Sequence, residues 1–216
     1  MVNPVDVLTL PVAAGPETKQ VLHIGNSVST PAKLHPSFAG WREVRLDSDP
    51  AANPDIVASP VQMSKVKTAS MDAVYAFRSL QQLHAYEVPA ALSEIRRVLK
   101  AGGHALLAVV DLAKIAPYLS SEKLDETIHE SGAGPITALD LLFGQRALIA
   151  QGKSQLANHT GFTAKSFGTA LVKAAFSEVR VQPAGLDLWA HAIKGAAPAS
   201  SFTLLDPPAV PGEPMP

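Results

Sequence analysis

Ala91-Leu92-Ser93-Glu94-Ile95-Arg96-Arg97-Val98-Leu99-Lys100-Ala101-Gly102-Gly103 is the stretch on which the fold turns. Val88, Ala91, Leu92, Ile95, Val98 and Leu99 recur at steps of three and four, which lines them up as one apolar stripe of a helix over residues 87–99. Arg96, Arg97 and Lys100 fall in its last turns, where cations suit the negative end of the helix dipole. Gly102 and Gly103 stop the helix, and residues 103–110 follow as a nearly unbroken apolar run ending at Asp111. A strand that apolar on both sides belongs in a parallel sheet covered by helices.

Upstream of this unit, residues 19–24, 41–46, 55–58 and 72–77 read as four further strands, ending near Gly25, Asp47, Ala58 and Phe77. Downstream, helices are expected over 137–150 and 164–175, opening after Thr137 and Thr163, both good N-caps. Residues 178–182 and 186–193, joined by a turn at 183–185, read as a closing hairpin. The pattern predicts an α/β fold with a doubly wound, mostly parallel seven-stranded sheet and a C-terminal antiparallel hairpin. In domain terms this is an N-terminal arm over 1–18, one domain over 19–194 with a helical insertion at about 114–161, and a flexible Pro/Ala-rich tail over 195–216. In such sheets ligands bind at the carboxyl ends of the strands, where strand order reverses, which directs attention to Gly25, Asp47, Phe77 and Asp111.

Composition narrows the function classes. The chain has 216 residues, 47% of them apolar, with 17% charged and a formal net charge of −1. No Lys/Arg run is dense enough to track a phosphate backbone, so no nucleic-acid partner is expected. No apolar run is long enough for a bilayer span, no secretory leader is legible at the start, and a cytoplasmic protein without membrane contact is the expectation. The absence of cysteine removes disulfides, thiolate metal sites and a cysteine nucleophile. No two histidines stand at i, i+4 around a carboxylate, His129 and His191 show no partner spacing, and no metal is expected.

Five segments, in order, resemble the class I S-adenosylmethionine-dependent methyltransferases of the type 11-like kind. They are Val21-Leu22-His23-Ile24-Gly25-Asn26-Ser27, Arg45-Leu46-Asp47-Ser48-Asp49-Pro50, Met71-Asp72-Ala73-Val74-Tyr75, the opening helix–Gly-Gly stretch, and Gly161-Phe162-Thr163 through Leu171 to Phe176-Ser177-Glu178-Val179. The resemblance covers residues 19–194 and implies a Rossmann-like methyltransferase fold with S-adenosylmethionine as cofactor. The glycine loop is degenerate: Ser27 stands where the family usually has a second glycine, and Val28 adds a branched side chain.

Carried onto this sequence, the resemblance implies that Gly25, Asn26 and Ser27 lie along the methionine part of the cofactor. It implies that Asp47 accepts from the ribose hydroxyls, with Asp49 as fallback, and that Gln62 and Met63 flank the adenine. Phe77 then either lies near the sulfonium, where a ring face attracts a cation, or is a core residue. Arg78 is either a bidentate anchor for an anionic substrate or a surface charge. Gln81 and Gln82 replace a Glu-His pair that many relatives carry, which leaves His84, Tyr86 and His159 as candidate catalytic groups, His159 also as a substrate-binding one on a lid. The expected function is methyl transfer to an unidentified small molecule. The alternative is a catalytically inactive methyltransferase-like protein serving as partner subunit or binding module, and a protein partner or homo-oligomer stays open. A dinucleotide-binding domain is disfavoured because the G-x-G-x-x-G turn is missing. The long segment 114–161 is expected to form a lid or a partner surface.

Overall fold

Val21, Leu22 and Ile24 need apolar cover on both sides, and strand β1 (Gln20–Ile24) finds it at the middle of the sheet, where all three are buried. The structure, a computed structural model, describes residues 18–25, 34–131 and 134–207. Around β1 the sheet is built from β2 (Arg42–Asp47), β3 (Ile56–Val57), β4 (Met71–Phe77), β5 (Leu99–Val110), β8 (Glu178–Ala184), β9 (Asp187–Ile193) and β10 (Thr203–Leu204). Their order is β10-β8-β9-β5-β4-β1-β2-β3. β1 pairs in parallel with both β2 and β4, and only β9 runs against its neighbours. Strand order therefore reverses between β1 and β4, which opens a crevice at their carboxyl ends.

Helices α1 (Val88–Val98) and α5 (Ala164–Lys173) cover one face, packing on Leu22, Ile24, Val74, Leu107 and Val109. The α1 stripe buries Val88, Ala91, Leu92, Ile95 and Val98, as its spacing predicts. Burying five such side chains stabilises the layer by roughly 1.5–3 kcal/mol for each large one. Glu94 and Arg97 on its outer side clamp the loop before β4: Glu94 accepts from Met63 N at 2.7 Å, and Arg97 donates to the carbonyls of Met63 and Val66. The opposite face is aromatic, with Val21, Phe38, Ala73 and Tyr75 buried beside Trp41, Phe77 and Trp189.

Three expectations need correction. The strand after α1 starts at Leu99 rather than Gly103, because Leu99 is already extended and Lys194 Nζ donates to the carbonyls of Arg97 and Leu99, so no glycine stop is needed there. The insertion is not all helical. It contains α2 (Leu112–Ser120), an antiparallel hairpin of β6 (Thr127–Ser131) and β7 (Gly134–Thr137), then α3 (Ala138–Phe143) and α4 (Arg146–Ala150). The single helix expected over 137–150 breaks at Gly144, whose φ of +90° ends α3 and whose missing Cβ leaves room for the Leu156 backbone. Thr137 and Thr163 do cap α3 and α5, each with a reciprocal capping box. Third, the segment expected as a tail from residue 195 carries β10, which adds in parallel to β8, and Phe202 fills the space over Gly168.

Candidate functional site

The carboxyl ends of β1 and β2 meet as the sequence predicts. Ile24 is in register with Leu46, Gly25 N donates to Leu46 O at 2.9 Å, and Asp47 is the next residue along β2. Gly25 turns the chain with φ of +78°, a conformation that favours glycine. The space a Cβ would need there is taken by Ser79, whose hydroxyl donates to Ile24 O at 3.0 Å. Close approach to Gly25 from β4's side is thus made by the protein itself, and the glycine has a packing role as well. Asn26, Ser27 and Val28 lie outside the described residues.

Asp47 is 9% exposed and its Oδ1 accepts from Asp49 N at 2.9 Å. Burial pushes its carboxyl above the ordinary 3.8, against the backbone N–H bond from Asp49. Asp49, the fallback, is otherwise engaged: it caps the short turn Pro50–Ala52 through Ala51 N and accepts from Gln155 Nε2 at 2.8 Å. Asp47 is therefore the carboxylate at the strand end. Beneath it, His23 is fully buried, with Nδ1 2.6 Å from Glu43 Oε1 and Nε2 without a hydrogen-bond partner among the described residues. Its ring packs against Tyr75 on the aromatic face of the sheet, centroids 4.9 Å apart. The sequence carried a signal for it, a polar residue inside an otherwise apolar strand.

The remaining sequence-derived residues divide. Met63 is fully buried in the main core and Gln62 is exposed, bordering a groove with Ala90, Ser93 and Arg97 of α1. The pair sits on the α1 side, so Met63 offers no open face to an adenine. Phe77 packs against Trp189, ring centroids 5.7 Å apart, and the Arg78 guanidinium already stands over its ring at 5.1 Å. Arg78 is neither a free anchor nor a loose surface charge. It holds Asp187 with two bonds, Nε to Oδ1 at 2.8 Å and Nη2 to Oδ2 at 3.0 Å. Gln81 is buried, and its side chain accepts from Val110 N at 2.9 Å, capping the end of β5. Asp111 likewise caps α2 through Ala113 N.

His84 and Tyr86 form one exposed column with His159, which is distant from them in sequence: the rings of His84 and Tyr86 stack 5.4 Å apart, and His159 lies 4.3 Å from His84. His191 faces His104 at 4.9 Å on the aromatic side of the sheet, and burial holds both imidazoles below their usual range. Among the described residues no group of three or more His, Asp or Glu has metal-holding geometry, and no helix is long and apolar enough to cross a membrane.

The family model of the methyltransferase domain matches residues 17–107, from just before β1 into β5. The match takes in the ends of β1, β2 and β4 that form the crevice. Among solved structures, a SAM-dependent methyltransferase from Methanosarcina mazei aligns at 17% identity and TM-score 0.53, covering 83% of this chain and 94% of that one. A protein from Pyrococcus horikoshii OT3 aligns at 13% identity and TM-score 0.54, covering 83% of each. The 1,6-didemethyltoxoflavin-N1-methyltransferase of Burkholderia thailandensis, solved with 1,6-didemethyltoxoflavin and S-adenosylhomocysteine, aligns at 16% identity and TM-score 0.50, covering 83% of this chain and 72% of that one. Other matched chains are longer, and this chain spans 38% of one and 47% of another. No curated protein matches the sequence. The chain thus has the class I methyltransferase fold. Over residues 17–107 it also carries the sequence pattern of the methyltransferase domain family.

Proposed function

We propose that the chain is an S-adenosylmethionine-dependent methyltransferase acting on a small molecule, with the cofactor's ribose held by Asp47. The observation that carries this reading is the placement of a buried carboxylate, Asp47, beside the Gly25 corner on adjacent parallel strands at the switch point. Two oxygens on one carboxylate match the two hydroxyls of a ribose. The residues at hand fit the nucleoside end of the cofactor. Met63, being core, does not serve its adenine, and that part of the expectation is withdrawn.

Bound there, S-adenosylmethionine supplies a methyl group on a sulfonium, which is already an activated leaving group. The protein's share is alignment and exclusion of water, and correct placement is worth roughly 7–11 kcal/mol of barrier. Arg78 and Asp187 tie the end of β4 to the start of β9 across β5 and so hold the strand ends in place. An acceptor that must shed a proton finds titratable groups in His84 and His159.

A specific observation favours a second reading, a methyltransferase-shaped binding module without catalysis. Gln81 and Arg78, which face the reaction end of β4, are both consumed by structural bonds to Val110 and Asp187. Calorimetric titration with S-adenosylmethionine and S-adenosylhomocysteine tests the shared cofactor reading, and failure of both to bind at millimolar concentration removes it. Transfer of labelled methyl to any small molecule of a cell extract then separates enzyme from module.

A further inference from the structure

Gln155 and Thr160 are ends of a short strap. At one end Gln155 Nε2 donates to Asp49 Oδ2 at 2.8 Å, just past the end of β2. At the other, His159 N and Thr160 N both donate to Gln81 O, at 2.8 and 3.1 Å, while Gln81's own side chain is fixed to Val110 at the end of β5. The sheet order β5-β4-β1-β2 places the end of β1, with Gly25, between these anchors. Two to three strand spacings of about 4.8 Å make the span roughly 10–14 Å. Four fully extended residue steps reach at most about 14 Å, and the turn Ser154–Leu156 shortens the path from Gln155 to His159. The strap therefore bridges the strand ends that form the crevice, with the Gln155 and Asp49 side chains completing the span. Its outer side is sewn to α3: Asn158 N donates to Phe143 O and Asn158 Nδ2 to Leu141 O.

The Asp49 anchor lies one hydrogen bond from the site. Asp49 N donates to Asp47 Oδ1, so the residue that Gln155 holds also orients the carboxylate. We propose that Gln155 is a positioning residue, the latch that keeps the 155–160 strap closed over a bound nucleoside and steadies Asp47 through Asp49. This rests on the nucleoside reading above. Exchange of ligand requires the strap to swing, and the exposed Gln155–Asp49 bond is the contact that gives first, because the other end is held by two backbone bonds and by the His159–His84 ring contact.

The test uses the full chain and two variants. Gln155→Glu sets a carboxylate against Asp49. The double variant Asp49→Asn with Gln155→Glu restores an amide–carboxylate pair with the roles exchanged, and Asn keeps the N-cap of the turn that follows. Gln155 is exposed and Asn can cap the turn in place of the half-buried Asp49, and urea melts of both variants check that they fold. Amide exchange at Asn158, whose N–H bond to Phe143 O must break for the Gln155 end to lift, reports strap opening, and stopped-flow release of S-adenosylhomocysteine reports gating. In Gln155→Glu both rates rise roughly three- to tenfold, the range for losing one charge-assisted hydrogen bond at an exposed site, and in the double variant both return to the wild-type values. Unchanged amide exchange in Gln155→Glu overturns the latch. So does faster exchange with unchanged ligand release, or a double variant that restores neither. If the wild-type protein takes up no S-adenosylhomocysteine, the nucleoside reading is what fails, and the exchange rates alone sustain or overturn the latch.

Discussion

Asp47 holds its proton more readily than an exposed aspartate because burial disfavours the charged form, and the nearby Asp49 charge adds to that. The folded pKa is raised, so this group's contribution to stability is present at low pH and is lost as pH rises through the folded value. A ribose that donates to the carboxylate reverses the balance, since it prefers the charged form. We expect affinity for S-adenosylhomocysteine to fall as the solution is acidified, approaching about tenfold per pH unit below the raised pKa. Asp47→Asn should remove that pH dependence and weaken binding roughly 10- to 100-fold, as for a hydrogen bond to a charged group. It should also stabilise the unliganded fold at neutral pH. Calorimetry across the acid range, with urea melts of both proteins, checks all three. The neighbouring Arg78 behaves differently. It stands in the left-handed region with φ of +55° and is tied to Asp187, itself 9% exposed. Arg78→Ala leaves that carboxylate unpaired and should cost about 1–3 kcal/mol in a denaturant melt, less than a fully buried pair because solvent still reaches the guanidinium. The sequence located both residues at strand ends but paired neither. The place of Asp47 was legible because it follows from the strand before it. Arg78's role is set by a partner 109 positions away.

Helix α1 was readable almost residue for residue, because one stripe of apolar side chains meets one sheet face and nothing distant competes. Its outward face was not. Glu94 and Arg97 look like an ordinary solvated pair three residues apart, yet they hold the Met63–Val66 loop that leads into β4. The Arg97 bond holds the Glu94 carboxyl below its ordinary 4.5, outweighing desolvation. The sign is the reverse of Asp47's: this stabilisation is fully present above the unfolded value and is lost as pH falls through the folded one. Glu94→Ala, which also strands Met63 N–H, should lower stability by about 1–2 kcal/mol at neutral pH. The deficit should shrink in acid, where the wild-type clamp is itself protonated. Guanidinium midpoints at the two conditions decide it. The segment 137–150 shows the opposite failure of local reading. Its apolar spacing is helical throughout, but the Leu156 main chain crosses at Gly144 and breaks the helix there. The β6–β7 hairpin and β10 were missed for a related reason: short strands with few buried side chains leave no period to detect, and only the neighbours they join define them.

Apart from the aromatic cluster of Val21, Phe38, Ala73 and Tyr75, the buried apolar residues form two cores of unequal size. The larger one joins both helices of the covered face to every long strand of the sheet. The smaller has five buried residues, Val110, Ile115, Ile136, Ala138 and Leu141, and lies under the insertion. Val110 is the member it shares with the sheet, at the end of β5. A core that small buries too little apolar area to open only with the whole protein. Native-state hydrogen exchange should therefore find α2, the β6–β7 hairpin and α3 opening as a unit at lower free energy and with a smaller denaturant slope than β1, β4 and β5. That difference has a functional consequence if the strap at the end of the insertion closes over the crevice. A ligand that binds only the closed form stabilises it by about 2.7 kcal/mol at a hundredfold excess over Kd. Saturating S-adenosylhomocysteine should then slow exchange in the insertion by roughly that amount, even where no insertion residue touches the ligand. Protection confined to β1 and β2, with the insertion unmoved, would show that the smaller core opens and closes independently of the site.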